Sequence, residues 1–376
     1  MRMLSDFKGI ITVFGLLVLC CISTGMAAAQ SEPLQIPYLD KWEESKHAEA
    51  WKESFLDRYT GPKVTREGAI PKECARCHST AGLHDFLGLD GSEEGAMDAD
   101  AMPRNGIACV ACHNDATLEL EEVTFPSGES VEMFTRDARC MMCHQGRNST
   151  VSVSEALEAA GGDEDTVSDK LVYMDSHYLP AATRFGTEAK GGFEYPDLEY
   201  EGFYIHDEDA SRCFDCHSLH TEKVEVDTCS ECHRKVEEPK DFRNVRKTKD
   251  DFDGDGNIKE GIAFEIRAMQ RELYKGILTY AKTVVGTAMV YDKKTYPYFF
   301  IDTNGNGKAD GEEAVQSNSY KQWTPRLVKA AYNFQYVVNE PGAFVHNPFY
   351  AIQLLYDSLN DLSGKVPVAI DGMARP

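Results

Sequence analysis

The stretch Cys74-Ala-Arg-Cys77-His78 holds two cysteines that are separated by two residues, with a histidine directly after the second. The same Cys-x-x-Cys-His arrangement recurs further along the chain, and we number the copies motifs 1 to 5 in chain order. Motifs 2 to 5 are Cys109-Val-Ala-Cys112-His113, Cys140-Met-Met-Cys143-His144, Cys213-Phe-Asp-Cys216-His217 and Cys229-Ser-Glu-Cys232-His233. Together the five motifs account for all of the 12 cysteines except Cys20 and Cys21.

This arrangement is typical of the covalent attachment of c-type haem. The two thiols add to the haem vinyl groups, and the histidine that follows binds the iron. Zinc sites, redox dithiols and structural disulfides also use paired cysteines, but none of them needs a histidine after every second cysteine. The sequence therefore predicts five c-type haems as cofactors. Their proximal iron ligands are His78, His113, His144, His217 and His233.

Six further histidines are available as second, distal ligands, and five irons would use five of them. His220 is only three residues after His217, which is too close to reach the opposite face of the same haem, so we expect it to serve a neighbouring haem. His84 lies in a predicted loop that contains glycine, and it has the weakest case as an iron ligand. The predicted distal ligands are His47, His177, His206, His220 and His346.

The first 29 residues have the features of a secretory signal peptide. Arg2 and Lys8 precede an apolar run from Ile10 to Ile22, and small residues end at Ala29. An uncleaved membrane anchor is the alternative interpretation. The predicted location is therefore across the inner membrane, in the periplasm, on the outer surface or outside the cell. No later stretch of about twenty apolar residues predicts a membrane-spanning helix.

The chain is strongly acidic, with 39 Lys plus Arg against 62 Asp plus Glu and a formal net charge of −23. A charge of this sign argues against nucleic acid and anionic membranes as partners. An acidic surface instead attracts basic proteins or cationic metal species. We therefore expect other redox proteins or extracellular metal acceptors as partners.

The positions of the motifs divide the chain after the signal peptide into two regions. Residues 30–240 contain every motif and are predicted to form a pentahaem unit packed around its haems, with short helices and much irregular structure. Residues 241–376 contain no motif, and apolar residues from Ile262 to Val284 recur at helical spacing. Thr324-Pro325 and Asn347-Pro348 are typical helix starts. The predicted fold is mainly α, with this region as a C-terminal helical cap that carries His346.

Two loops of the C-terminal region have the residue spacing of calcium-binding loops. The first has Asp302, Asn304, Asn306, Lys308, Asp310 and Glu313 at ligand positions, with Lys308 offering its carbonyl. The second begins with Asp251, Asp253, Asp255 and Asn257, but its twelfth position is Ile262, so Glu260 or Glu265 would complete it. Calcium is therefore a predicted second cofactor, and a solvated acidic turn is the alternative for each loop.

With these motifs the chain resembles the multihaem c-type cytochromes of respiratory bacteria and archaea. The resemblance includes the runs Trp42-Glu-Glu-Ser-Lys-His47, His217-Ser-Leu-His220 and Pro341-Gly-Ala-Phe-Val-His346. The tail from Trp323 to Leu355 is similar to membrane-associated and extracellular polyhaem members. The resemblance implies electron transfer in respiration. Some members assemble into electron-conducting filaments, so it also implies homo-oligomers or filaments.

Two functions follow from these observations. The first is an electron carrier with two imidazoles on every iron and no catalytic residue. The second is an oxidoreductase of the nitrite or hydroxylamine class, in which related enzymes keep one haem open for substrate. Pentahaem nitrite reductases usually carry a Cys-x-x-Cys-Lys motif, which this sequence lacks. The electron carrier is the favoured hypothesis, and a calcium-binding adhesin would leave the haem motifs unexplained.

Overall fold

A computed structural model of the chain describes residues 35–48, 70–102 and 106–376. The predicted signal peptide, residues 1–29, lies outside the described residues. Residues Asp40–Pro376 form one compact unit that contains all the motifs. The remaining unit, Met1–Leu39, is described only from residue 35 onward.

Short helices separated by irregular segments make up the region of the motifs, as the sequence predicts. Motifs 1, 2, 4 and 5 have both cysteines inside a helix, where one helical turn places residues three apart on the same face. Motif 3 begins in a helix that ends at Met141, so Cys143 follows it. The helices are α1 Leu39–Glu43, α2 Lys72–His78, α3 Thr80–Phe86, α4 Cys109–Cys112, α5 Asp115–Leu118, α6 Thr135–Met141, α7 Thr150–Ala160, α8 Pro180–Phe185, α9 Cys213–Cys216 and α10 Val226–Cys232.

The prediction that His84 lies in a loop is wrong, because it belongs to α3. Ser79 caps this helix, since its hydroxyl accepts a hydrogen bond from the Gly82 amide at 2.8 Å. Gly82 allows α3 to pack directly on α2, since a Cβ there would lie 2.3 Å from the backbone of Ala75. The glycine that suggested a loop is a close-packing residue inside a helix.

Three longer helices dominate the C-terminal region, as predicted. They are α11 Ile262–Tyr280, α12 Pro325–Asn339 and, after the short α13 Ala343–His346, α14 Pro348–Ser363. A π-helical turn, Ala281–Val285, extends α11 to Gly286, whose φ of 85° ends it. Fully buried side chains from all three helices form one core, among them Met269, Leu273, Ile277, Leu327, Tyr336, Leu354 and Leu359.

The starts of α12 and α14 follow the predicted capping pattern. The Thr324 hydroxyl accepts a hydrogen bond from the Leu327 amide, and the Asn347 side chain accepts one from the Tyr350 amide. These caps satisfy amides that have no partner inside the helix. The cap at Asn347 fixes the chain direction directly after His346.

Buried hydrogen bonds join α12 to the segment between motifs 3 and 4. The Asn333 side chain accepts from the amide of Phe193 at 2.8 Å and donates to its carbonyl at 2.9 Å. Gln335 accepts from the amide of Ser176 at 3.2 Å, next to His177. Because these polar groups are buried, each bond is costly to lose. The C-terminal helices are therefore attached to the motif-bearing region at defined points.

The described strands form two antiparallel hairpins. The first pairs β1 Glu122–Thr124 with β2 Ser130–Glu132, and the second pairs β3 Met289–Tyr291 with β4 Phe299–Ile301. Short 3-10 helices occupy Gly186–Glu188, Pro239–Asn244 and Gln316–Asn318. In the described parts of the chain, no helix combines the length and the apolar character needed to cross a membrane.

Candidate haem-binding sites

Every predicted proximal histidine lies beside one of the predicted distal histidines. The ring centroids of the pairs are 5.8 to 6.4 Å apart. The pairs, in motif order, are His78 with His177, His113 with His220, His144 with His47, His217 with His346, and His233 with His206. His220 thus pairs with motif 2 and not with the adjacent His217.

These separations fit one metal ion between two imidazoles. A nitrogen–metal bond of about 2 Å and a ring radius of about 1.1 Å place two trans imidazole centroids about 6.2 Å apart. Direct packing of two rings would not require the same separation at five places. The side chains present therefore fit a c-type haem at each motif, whose iron the paired histidines would hold.

Hydrogen bonds orient several of these rings by their Nδ1 atoms. Nδ1 of His346 is hydrogen-bonded to Glu340 Oε1 at 3.0 Å, whereas Nδ1 of His47 lies at ion-pair distance, 3.2 Å, from Glu222 Oε1. Nδ1 of His177 is 3.3 Å from Asp175 Oδ2. Carboxylate oxygens only accept, so in the hydrogen bonds of His346 and His177 Nδ1 carries the proton and Nε2 keeps its lone pair for a metal.

The three carboxylates were not identified from the sequence as site residues. Asp175 lies two residues before His177, and this short spacing is the only local signal. Glu222 is distant in sequence from His47, and Glu340 is six residues before His346. Burial opposes ionisation of Asp175, but the hydrogen bonds and charge of His177, together with the charge of Arg147, lower the pKa of Asp175 from its usual value.

His84 differs from the five predicted distal ligands. Its Nε2 is 3.0 Å from the carbonyl oxygen of Val110, so this nitrogen donates a hydrogen bond and has no lone pair free for iron. His84, which the sequence analysis left out of the predicted iron ligands, is thus hydrogen-bonded to the backbone.

Two proximal histidines are strongly favoured in the neutral form that a metal ligand requires. Burial, followed by the charge of His177, lowers the pKa of His78 to about 4. Burial also lowers the pKa of His144 to about 3, with smaller contributions from nearby histidines. Burial is likewise the main cause that lowers the pKa of His206 and of His233. Neutral imidazole is the form that binds a metal.

The motifs also contact one another. The Cys77 thiol lies 3.9 Å from the Met142 carbonyl, and the Cys143 thiol lies 3.8 Å from the Arg76 carbonyl. Motif 1 is therefore packed against motif 3. Motif 3 contacts motif 4 through Asp137 of α6. The Asp137 carboxylate accepts a hydrogen bond from the backbone amide of Cys213 at 2.9 Å.

Helix α9 of motif 4 in turn packs against α10 of motif 5. The contacts thus run in the order 1, 3, 4, 5. The motif cysteines, all of which lie in the described parts of the chain, form no disulfide bonds with one another. Cys109 of motif 2 and Cys232 of motif 5 are exposed, whereas the other motif cysteines are partly buried. Among the motif cysteines, Cys109 and Cys232 are therefore the most exposed in the described parts of the chain.

The predicted calcium loop at Asp302 follows strand β4, not a helix. The carboxylate of Asp302 accepts hydrogen bonds from the amides of Gly305 and Gly307 at 2.8 and 3.0 Å. Glu313 is 4% exposed, and its carboxylate accepts a hydrogen bond from the amide of Thr303 at 2.7 Å. This hydrogen bond joins the two ends of the loop. Asp310 accepts from the side-chain amides of Asn304 and Asn306.

At the second loop the carboxylates come closer together. Ligand oxygens of Asp251, Asp253 and Glu265 lie within 4.8 Å of one another, and so do those of Asp253, Asp255 and Glu260. Burial, and then the neighbouring carboxylates, raise the pKa of Asp253 to about 6. Glu260 and Glu265, the two residues that could complete this loop according to the sequence, therefore both lie close to its aspartates.

Repeated Cys-x-x-Cys-His helices with a second histidine opposite each attachment site are features of multihaem c-type cytochromes. No protein-family model and no solved structure matches the chain. Two related proteins, however, support the same class.

Two relatives of this class come from Geobacter sulfurreducens. The C-type polyheme cytochrome OmcB is 25% identical over an alignment that covers 79% of this chain and 45% of OmcB. The C-type polyheme cytochrome OmcC is 26% identical over 79% of this chain and 44% of its own length. The chain thus spans less than half the length of these relatives. The distant homology supports a multihaem cytochrome that binds c-type haem.

Proposed function

We propose that the chain is an electron-transfer protein with five covalently attached haems, each held between two histidines. The observation that carries this proposal is the set of five histidine pairs at 5.8 to 6.4 Å. When bound, c-type haem supplies an iron that alternates between the ferric and ferrous states and so carries one electron. Two imidazoles per iron leave no position for a substrate, which disfavours the nitrite or hydroxylamine enzyme.

The chain's own residues provide attachment, orientation and spacing. Cysteines of motifs 1 and 3 and of motifs 3 and 4 lie at the contacts between motifs, so the polypeptide holds neighbouring sites at short range. The exposed Cys109 and Cys232 mark motifs 2 and 5 as the places where partners would approach. A net charge of −23 favours basic redox proteins or cationic metal acceptors as these partners.

Export, organisation and assembly complete the proposal. A protein whose signal peptide is residues 1–29 would act in the periplasm, on the outer surface or outside the cell. In this proposal residues 30–240 are the pentahaem unit and residues 241–376 are the helical cap. Association of several copies, up to a filament, would bring accessible motifs of neighbouring chains together.

Haem content tests the proposal directly. The intact mass of the exported chain should exceed that of the polypeptide from Gln30 by five haems, because each motif has both thiols and its histidine. A double variant, Cys229→Ala with Cys232→Ala, should carry one haem fewer and serves as the calibration. Free thiols at any motif cysteine of the wild-type protein would contradict the assignment.

The ferric spectrum provides the test of ligation. An entirely low-spin spectrum is expected, since two imidazoles bind each iron. A high-spin signal in the wild-type protein would contradict the electron carrier and favour the enzyme with an open haem.

We also propose that calcium occupies the loops at Asp302 and Asp251, through the oxygen ligands that this ion prefers. Replacing Asp302 and Glu313 together by alanine should remove one bound calcium per chain and lower the unfolding temperature without loss of haem. Metal analysis after equilibrium dialysis measures the first effect, and thermal unfolding measures the second. Glu312→Ala, a neighbour outside the ligand positions, is the control. Unchanged calcium content would identify the loop as a solvated acidic turn.

A further inference from the structure

Three of the predicted distal histidines share a feature that the attachment motifs do not explain. Asp175, Glu222 and Glu340 each place a carboxylate oxygen 3.0 to 3.3 Å from Nδ1 of such a histidine. His206 differs, since the residues described by the structure place no carboxylate at hydrogen-bond distance from its ring. The sites therefore differ in what lies behind the distal imidazole.

Two of these carboxylates have an oxygen without a partner. Oε2 of Glu222 and Oε2 of Glu340 are buried and have no hydrogen bond from any described residue. The Glu340 side chain is 0% exposed. A buried carboxylate with an unsatisfied oxygen is costly unless a positive charge lies nearby. A ferric iron with two neutral imidazoles on a dianionic porphyrin would supply such a charge.

The space around Glu340 is shaped for this contact. The Gly342 amide donates to Glu340 Oε1 at 3.0 Å, the same oxygen that faces His346. A Cβ on Gly342 would lie 2.8 Å from Cε1 of the His346 ring. The glycine thus leaves room for the imidazole and helps to hold the carboxylate against it.

Glu222 contacts the ligands of two sites. Its carboxylate faces Nδ1 of His47, which belongs with motif 3, and its backbone carbonyl is 3.1 Å from Nδ1 of His217 in motif 4. Its φ of 54° lies in the left-handed region, where a residue with a side chain is strained. The same tight segment carries His220, which pairs with His113 of motif 2.

We propose that Asp175, Glu222 and Glu340 are positioning residues that increase electron donation by three distal imidazoles to iron. A carboxylate that accepts the Nδ1 proton fixes the tautomer and raises the basicity of the ligand. A more basic ligand and a nearby negative charge both favour ferric iron. The sites of motifs 1, 3 and 4 would therefore have lower reduction potentials than the site of motif 5. This inference rests on the proposed function.

The test compares the variants Glu222→Gln and Glu340→Gln with the wild-type holoprotein. Glutamine keeps the shape and one accepting oxygen but removes the charge, so a merely structural contact would leave the potentials unchanged. Spectroelectrochemical titration of the haem absorbance should show one of the five haems shifted to higher potential in each variant. Electron paramagnetic resonance should show altered g-values for one low-spin ferric signal.

Glu44→Gln is the matched control, because Glu44 is exposed and pairs with Lys223, beside Glu222, and in the described parts of the chain it forms no ion pair with a histidine. Its potentials should equal those of the wild-type protein. Asp175→Asn gives an independent shift at motif 1 if either glutamine variant fails to fold.

Unshifted potentials in a protein with five low-spin haems would overturn this inference alone. A shift of equal size in Glu44→Gln would overturn it as well. Fewer than five haems or a high-spin wild-type spectrum would overturn the proposed function and this inference together.

Discussion

Replacing His346 with alanine should convert one of the five haems from low-spin to high-spin and raise its reduction potential. The ring of His346 lies 6.4 Å from that of His217, so its loss would open one axial position at motif 4. Covalent haem content should stay at five, because Cys213, Cys216 and His217 are unchanged. Absorption and electron paramagnetic resonance spectra of the ferric protein measure the change.

The matched control is His84→Ala, because the Nε2 of His84 already donates to the carbonyl of Val110. Its spectrum should stay entirely low-spin. A wholly low-spin spectrum of the His346 variant would mean that another residue supplies the ligand. The C-terminal helices would then only pack against the motif-bearing region.

Replacing Glu265 with alanine should destabilise the protein by about 3–5 kcal/mol, because it breaks a buried ion pair. Glu265 is fully buried and pairs with Arg246, whose side chain is 7% exposed. Its carboxylate also accepts hydrogen bonds from the amides of Phe252 and Asp253. These bonds attach the loop that begins at Asp251 to α11. Alanine would leave a buried guanidinium without its countercharge and two amides without an acceptor.

Chemical denaturation followed by circular dichroism measures this loss. Glu129→Ala is the control for removal of a carboxylate from an exposed ion pair, since Glu129 and Lys190 are 47% and 37% exposed. That variant should change the free energy of unfolding by no more than about 1 kcal/mol. Equal effects of the two variants would show that the Arg246–Glu265 pair contributes no more than a surface pair.

The long helices show how much secondary structure local sequence patterns predict. The spacing of apolar residues predicts α11, and Gly286 ends the helical segment at the expected position, although its last turn is π-helical. The caps Thr324 and Asn347 begin α12 and α14 as expected, because a cap uses only residues within one turn. The wrong prediction for His84 came from Gly82, whose role depends on its contact with Ala75 in another helix.

The haem attachment that we propose for this chain follows from the sequence itself. Two cysteines and a histidine within five consecutive residues need only one helical turn to face a single haem. The number of available distal histidines follows from composition in the same way. Neither conclusion requires knowledge of the path of the chain.

Only the tertiary structure decided which histidine faces which motif. His47 lies beside His144, and His346 beside His217, across long separations in sequence. The carboxylates of Glu222 and Glu340 behind these rings are likewise set by the path of the chain. Contacts between residues far apart in sequence depend on how all the intervening segments pack. No local spacing rule contains that information.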